Sequence, residues 1–413
     1  MPQSQMRWLR TRSYLNAHRH ELALAAQDLY PAAWRVAGTP LLAGPGWLPG
    51  APVPLDRVTL TWRPGRHRTG TDGTGPESAA IRPPASDCGE PFASYSAALG
   101  ALARPGLYEN RLCYRLLDAA ASPAAAHLAF GEGSYFEMIN ISEAVAHEYA
   151  AAVLDLPHPA EPGPGSVFCA APVHGELPVA ISLTGNPGAA STLPLRTRIG
   201  NPADPRRRPV MTAVTTLTLR ADRDAGEASM ILLWRDPSQV ASGGGLYQVA
   251  PAGMFQPSHN APWNLANDFS LWRAMVRELA EELLGRGEDY GSASASINYD
   301  AWPLYAALSR ARRAGQARVF WLGMGVDPLS LAVDQLTVLV LDAPVFDELF
   351  GSLVHANEEG RVVAREPDAE PGAAAGVGFT ADNVKRYSTD EPIVPASAAL
   401  LRLAWEHRHL LLS

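Results

Sequence analysis

The sequence predicts an α+β or mixed α/β chain: a mixed sheet between helices in its C-terminal half, preceded by a separate α+β N-terminal domain. Three observations carry this. Residues 210–219 (VMTAVTTLTL) and 228–234 (ASMILLW) are rich in β-branched and apolar residues, as strands are. The segment from Asp268 to Leu284 has the period of an amphipathic helix. In the second half strands come first, then helices, then strands again, an order that places helices against a sheet. At 413 residues and 47% hydrophobic content, the chain is long enough for two cores.

In the N-terminal half, Leu15 to Tyr30 reads as a helix stopped by Pro31, and residues 57–62 (RVTLTW) alternate as a strand. A polar Gly-, Thr- and Pro-rich loop covers 63–91. Helices are expected at 94–103, at 109–121, and at Ser142–Val153 with Ser142 as N-cap. A proline-rich linker (157–165) leads to strands at 166–171, 177–183 and 191–198. The prolines at 202, 205 and 209 break helix and sheet, and Arg206, Arg207 and Arg208 between them are expected to be solvated. This places the domain boundary between 204 and 205, giving domains 1–204 and 205–413.

The second half continues with a hairpin turn over Asp222–Gly226 and a short strand at Leu246–Ala250. The helix from Asp268 ends at Gly285. A helix follows at 301–314, then strands at 317–322 and 335–341, a helix at 344–355, a polar loop at 366–378 and a last helix at 396–410.

Composition narrows the function classes. Basic residues number 34 and acidic ones 42, for a net charge of −8, so nucleic acid is not an expected partner. Lys385 is the only lysine, an arginine bias that fits a GC-rich bacterial coding sequence. Cys88, Cys113 and Cys169 are far apart, which argues against a disulfide framework and for a reducing cytoplasm. The basic N-terminus has no apolar stretch behind it, unlike a signal peptide, and no run approaches membrane-spanning length, so no membrane partner is expected.

The informative segment is the helix from Asp268. Trp272, Met275, Val276, Leu279 and Leu283 form its buried stripe. Glu278 and Glu282 lie on one flank of that stripe and Glu281 farther round. Three carboxylates on adjacent turns repel by a few tenths of a kcal/mol per exposed pair. A solvated face tolerates this, an Arg277–Glu281 pair would offset part of it, and a bound Mg²⁺ or Mn²⁺ would offset more.

Arg277-Glu278-Leu279-Ala280-Glu281-Glu282 resembles the core of the Nudix signature, in which a helix carries the metal-binding glutamates of enzymes that hydrolyse nucleoside diphosphates linked to another moiety. The resemblance covers residues 209–345 at most. It implies that Glu278, Glu281, Glu282 and the backbone carbonyl of Gly253 hold Mg²⁺ or Mn²⁺, that Glu278 or Glu282 acts on the attacking water, and that Arg277 orients the glutamates. Three departures stand out. Gly253 lies 277 − 253 = 24 residues before Arg277, farther than in the family. Phe269 stands where the family has an earlier glutamate, with Asp268 one position off. Leu284 stands where the family has glycine, which comes one residue later as Gly285.

Trp263 and His259 are candidates for stacking on a nucleobase, and Asp334, with Asp327 and Asp342, for a further acid. His147 and Glu148 are expected on a helix surface, and Gly131–Phe136 as a turn. The resulting expectation is a divalent-metal-dependent pyrophosphohydrolase of a small nucleotide-type substrate. The alternatives are a non-hydrolytic nucleotide sensor or regulatory protein, and a pathway-specific biosynthetic enzyme on the same fold.

Overall fold

The computed structural model describes residues 1–65, 67–85, 89–106, 108–154, 193–235, 244–351, 360–363 (backbone only) and 376–413. The strands expected at 166–171 and 177–183, the linker at 157–165, and Cys88 and Cys169 lie outside the described residues.

The chain opens with two helices, α1 (Gln3–Ala17) and α2 (Arg19–Ala26), which meet at His18. The helix expected over 15–30 thus starts earlier and is broken by His18, whose ring packs on Tyr14 with centroids 4.5 Å apart. Two short strands follow, β1 (Val53–Pro54) and β2 (Val58–Trp62). Helix α3 (Tyr95–Leu102) is capped by Ser94, whose Oγ accepts the Ala97 N–H.

Residues 109–121, expected as helix, instead contain strand β3 (Leu112–Ala121), and the glycines of the expected turn lie within strand β4 (Ala126–Ser134). The two pair antiparallel, with Leu112 opposite Ser134 and Ala121 opposite Ala126, while β2 runs parallel to β4. Leucine and alanine are good helix formers, but propensity is a weak preference and the pairing with β4 overrides it. Helix α4 (Tyr135–Leu154) starts seven residues before Ser142, whose hydroxyl turns back to the Met138 carbonyl at 2.9 Å. His147 and Glu148 are buried, not exposed. The His147 ring stacks on Trp8, and the Glu148 carboxylate accepts the N–H groups of Leu195 and Arg196 at 2.7 and 3.0 Å. Those N–H groups begin α5 (Pro194–Ile199), a helix where a strand was expected. Arg208 is also buried, with Nη2 donating to the carbonyls of Pro202 and Leu331, while Arg206 is exposed.

The long apolar run of the second half divides. Strand β5 (Thr212–Asp222) turns into β6 (Glu227–Met230) as a hairpin, and β7 (Leu232–Arg235) leaves that sheet to pair with β8 (Tyr247–Val249). Next come β9 (Ala252–Met254), α6 (Pro262–Asn267), α7 (Leu271–Leu284), α8 (Pro303–Arg313), β10 (Ala317–Val326), β11 (Val333–Asp342) and α9 (Ala343–Phe350). Strands β12 (Gly360–Val363) and β13 (Val377–Gly378) precede α10 (Ala381–Lys385), α11 (Pro395–Glu406) and α12 (Arg408–Leu411). The principal sheet has the order β1-β10-β11-β5-β6-β13, with β9 also on β5. It is mixed: β11 runs parallel to β5, Val333 opposite Thr212 through Asp342 opposite Ala221, and antiparallel to β10.

Both faces of this sheet are covered, which is why β11 reads as an unbroken apolar run. Alternate residues separate the two sides. Leu339 and Leu341 belong to the cluster that contains α7, α8 and α9, whereas Val338 and Val340 pack with α11. The first cluster runs from Trp8 to Phe350, so both sequence halves contribute to it. Strand β1 adds to the edge of the principal sheet. Among the described residues, no helix is long and apolar enough to cross a membrane.

Candidate active site

Helix α7 starts at Ser270, whose Oγ accepts the Arg273 N–H, and ends at Gly285, whose left-handed conformation (φ 61°) closes the last turn. Its stripe of Trp272, Met275, Val276, Leu279 and Leu283 is buried as the spacing predicts. That anchoring turns the flank of Glu278, Glu281 and Glu282 toward a cleft of about 1130 Å³, slightly above the roughly 300–1,000 Å³ of typical small-molecule sites. Strand β9 forms the facing wall, held to β5 by the pairing of Gly253 with Val214.

Gly253 and Glu278 are in close approach. A Cβ on Gly253 would lie 2.0 Å from Glu278 Oε2, so only glycine leaves the carboxylate its place. Glu282 is buried, and its Oε1 accepts the N–H of Ala252 at 3.1 Å, one residue from Gly253. Glu281 accepts a hydrogen bond from the Tyr290 hydroxyl at 2.6 Å. Burial pushes its pKa up to about 7, with the neighbouring charge of Glu288 adding to the rise and Tyr290 opposing it. Thus Glu278 and Glu282 converge on β9, while Glu281 is turned to Tyr290. Among the described residues there is no group of three or more His, Cys, Asp or Glu side chains spaced to hold a metal ion.

The expected Arg277–Glu281 ion pair is not seen among the described residues. Arg277 points to the buried side, donating to Tyr299 Oη and the Gln256 carbonyl, each at 2.7 Å. Its counter-charge is Asp268, at 3.7 Å. Asp268 is fully buried and accepts from the Ser258 N–H (2.8 Å), Ser258 Oγ (2.7 Å) and Tyr299 Oη (2.8 Å). Phe269 stands where the resemblance implied a glutamate; the neighbouring Asp268 supplies the counter-charge of Arg277. Arg277 therefore ties α7 to the long loop between β9 and the helix. Tyr290 and Tyr299 were not singled out from the sequence, where lone tyrosines in loops carry no signal.

Of the remaining candidates, Asp334 lines the cleft and accepts from Thr215 Oγ1 at 2.7 Å. Asp327 lines it too, with its oxygens taken by the Leu329 N–H and Ser330 Oγ. Asp342 pairs with Arg223 and Arg318 at the far end of β11. Trp263 is 45% exposed, with Nε1 donating to the Ser292 carbonyl, and His259 is exposed. Neither lines the cleft. Cys113 is buried, and burial pushes its thiol up to about 12, which leaves it unreactive. No protein-family model matches the chain, and no curated protein matches it in sequence.

Proposed function

We propose that the chain is a divalent-metal-dependent pyrophosphohydrolase acting on a nucleoside-diphosphate-linked substrate, on a Nudix-like domain. The observation that carries this reading is the approach of Glu278 to Gly253, with Glu282 bonded to the adjacent Ala252, at the wall of a ligand-sized cleft. The donors present suit the cation. Carboxylate and carbonyl oxygens are hard ligands, and the space a Cβ would fill at Gly253 is the space the Glu278 carboxylate uses.

Glu278, Glu282 and the Gly253 carbonyl would hold Mg²⁺ or Mn²⁺. When bound, the ion supplies charge neutralisation for the phosphoanhydride and a more acidic water. The chain's own residues do the rest. Glu282, anchored on Ala252, keeps a fixed acceptor beside β9. Glu281, with its raised pKa, can take up a proton near neutral pH, the range a general base needs. Arg277 fixes the loop that carries Gln256 and Asp268 and so sets where α7 stands.

One observation favours a second reading, a non-hydrolytic nucleotide-binding protein: Glu281 is engaged by Tyr290 instead of joining a three-carboxylate cluster. Phosphate release from a panel of nucleoside-diphosphate compounds with Mg²⁺ separates the two. Hydrolysis that falls by two orders of magnitude or more in Glu282→Gln supports the enzyme. Saturable nucleotide binding without turnover supports the sensor. Turnover unchanged in the variant rejects the site.

A further inference from the structure

The same cleft has a second polar corner, away from α7, that the reading above leaves unused. It is built where β8 meets the start of α11. The Tyr247 N–H donates to the Pro392 carbonyl at 2.8 Å, the Val394 N–H to the Tyr247 carbonyl at 3.0 Å, and the Val249 N–H to Ser397 Oγ at 3.1 Å. These bonds fix the helix start against the strand. No side chain caps α11, and Pro395 occupies its first position. The N–H groups of Ala396 and Ser397 therefore have no acceptor within the helix, and both residues line the cleft.

Gln248 lines the cleft beside them and is 4% exposed. Its Oε1 accepts from Arg235 Nη1 at 2.8 Å. A guanidinium only donates, so this bond fixes which end of the amide is oxygen. The other end, Nε2, is a buried donor with no acceptor among the described residues, a costly state unless something occupies it. Across the corner stands Arg19, which also lines the cleft. Its Nη2 bonds both oxygens of Glu143, its Nε has no hydrogen-bond partner among the described residues, and Arg12 shares the same carboxylate. The next residue, His20, places Nδ1 3.3 Å from the Ile393 carbonyl, which brings α2 to the start of α11.

We propose that this corner is a phosphoryl-binding subsite. The N–H groups of Ala396 and Ser397 and Nε2 of Gln248 donate to the phosphoryl oxygens, and Arg235 and Arg19 supply the positive charge. A helix start with free N–H groups is complementary to an anion. The amide adds a directed donor beside the helix start. The group it takes is a phosphate monoester or orthophosphate. The subsite stands without any hydrolytic activity. If the hydrolase reading also holds, the two sites lie on one path: Gln248 and Ala252 are four residues apart, at most about 14 Å of chain. An extended ligand with a phosphoanhydride at one end and a phosphate at the other would then reach both.

The test is a calorimetric titration of the full-length chain in EDTA, at low salt, with orthophosphate and with ribose 5-phosphate. No divalent cation is present, so the outcome does not depend on the carboxylate site. Saturable binding is expected for at least one probe, and the tighter of the two tells whether a phosphate ester or free phosphate is the preferred source. In Gln248→Glu the Arg235 acceptor is kept, while the donor is lost and a negative charge is added; binding should weaken about tenfold or more, equivalent to roughly 1.4 kcal/mol or above. Glu282→Gln should bind phosphate within about twofold of the parent. If Gln248→Glu fails to melt cooperatively, Gln248→Met, which removes the donor without adding charge, must weaken binding instead. A parent chain that takes up neither probe overturns the proposal, as does a folded Gln248 variant that binds phosphate as the parent does. Loss of turnover in Glu282→Gln with phosphate binding intact separates failure of one site from failure of the other.

Discussion

Replacing Asp268 by alanine tests whether the buried ion pair holds helix α7 in place. Asp268 is fully buried and receives hydrogen bonds from Ser258 N–H, Ser258 Oγ and Tyr299 Oη, all between 2.7 and 2.8 Å, with Arg277 3.7 Å away. Each hydrogen bond to a charged group contributes about 1.5–3 kcal/mol, but bonds in one network do not add. The governing effect is the guanidinium left behind. Arg277 would keep Tyr299 and the Gln256 carbonyl but lose its counter-charge in a buried site, which costs about 3–5 kcal/mol. At about 2.1 cal/mol/K per residue, a 413-residue chain has an unfolding entropy near 0.9 kcal/mol/K, so Tm should fall by roughly 3–6 °C. Urea unfolding followed by tryptophan fluorescence reads the free energy directly. A loss below about 1 kcal/mol would refute the claim that Asp268 is the counter-charge that fixes Arg277.

Two further outcomes follow from local chemistry. Burial raises the pKa of Glu148 from 4.5 to about 7, against the opposing N–H bonds from Leu195 and Arg196. A carboxyl with a raised folded-state pKa holds its proton longer in the folded chain, so stability is lost as pH rises from about 4.5 to 7. Glu148→Gln lacks that titration. Its unfolding free energy relative to the parent should therefore improve by about 1–3 kcal/mol between pH 5 and pH 8, and a constant difference across that range would contradict the burial argument. Gly285, at φ 61° after α7, should cost about 1 kcal/mol when replaced by alanine, read as a Tm lower by about 1 °C; a stabilised variant would show the left-handed cap is not required.

Much of the C-terminal half was legible in sequence because its signals are local and strong. The β-branched run gave β5, the period of apolar residues gave α7, and Gly285 gave its end. What failed did so where pairing partners decide. Leu112–Ala121 has helical composition, yet β4 is its neighbour in the chain and captures it as a strand. The run 228–234 is uniformly apolar, and nothing in it marks Ile231 as the point where one strand passes to another sheet. Buried charge misled as well. Glu148 and Arg208 read as solvated because their partners are backbone N–H and carbonyl groups, which leave no complementary residue type to find. The acidic flank of α7 was predictable from helix geometry, but Tyr290 and Gln248 were not, since each takes its meaning from a contact made in three dimensions.

The account rests on a cation held between α7 and β9, and Gly253→Ala addresses it most directly. The added methyl would fall 2.0 Å from Glu278 Oε2, at the free end of a flexible side chain, so the carboxylate must swing away while the strand stays intact. Mn²⁺ titration monitored by electron paramagnetic resonance should show tight binding by the parent and an affinity reduced about tenfold or more in the variant, with Tm unchanged within about 2 °C. Equal Mn²⁺ affinity in parent and variant would contradict the site.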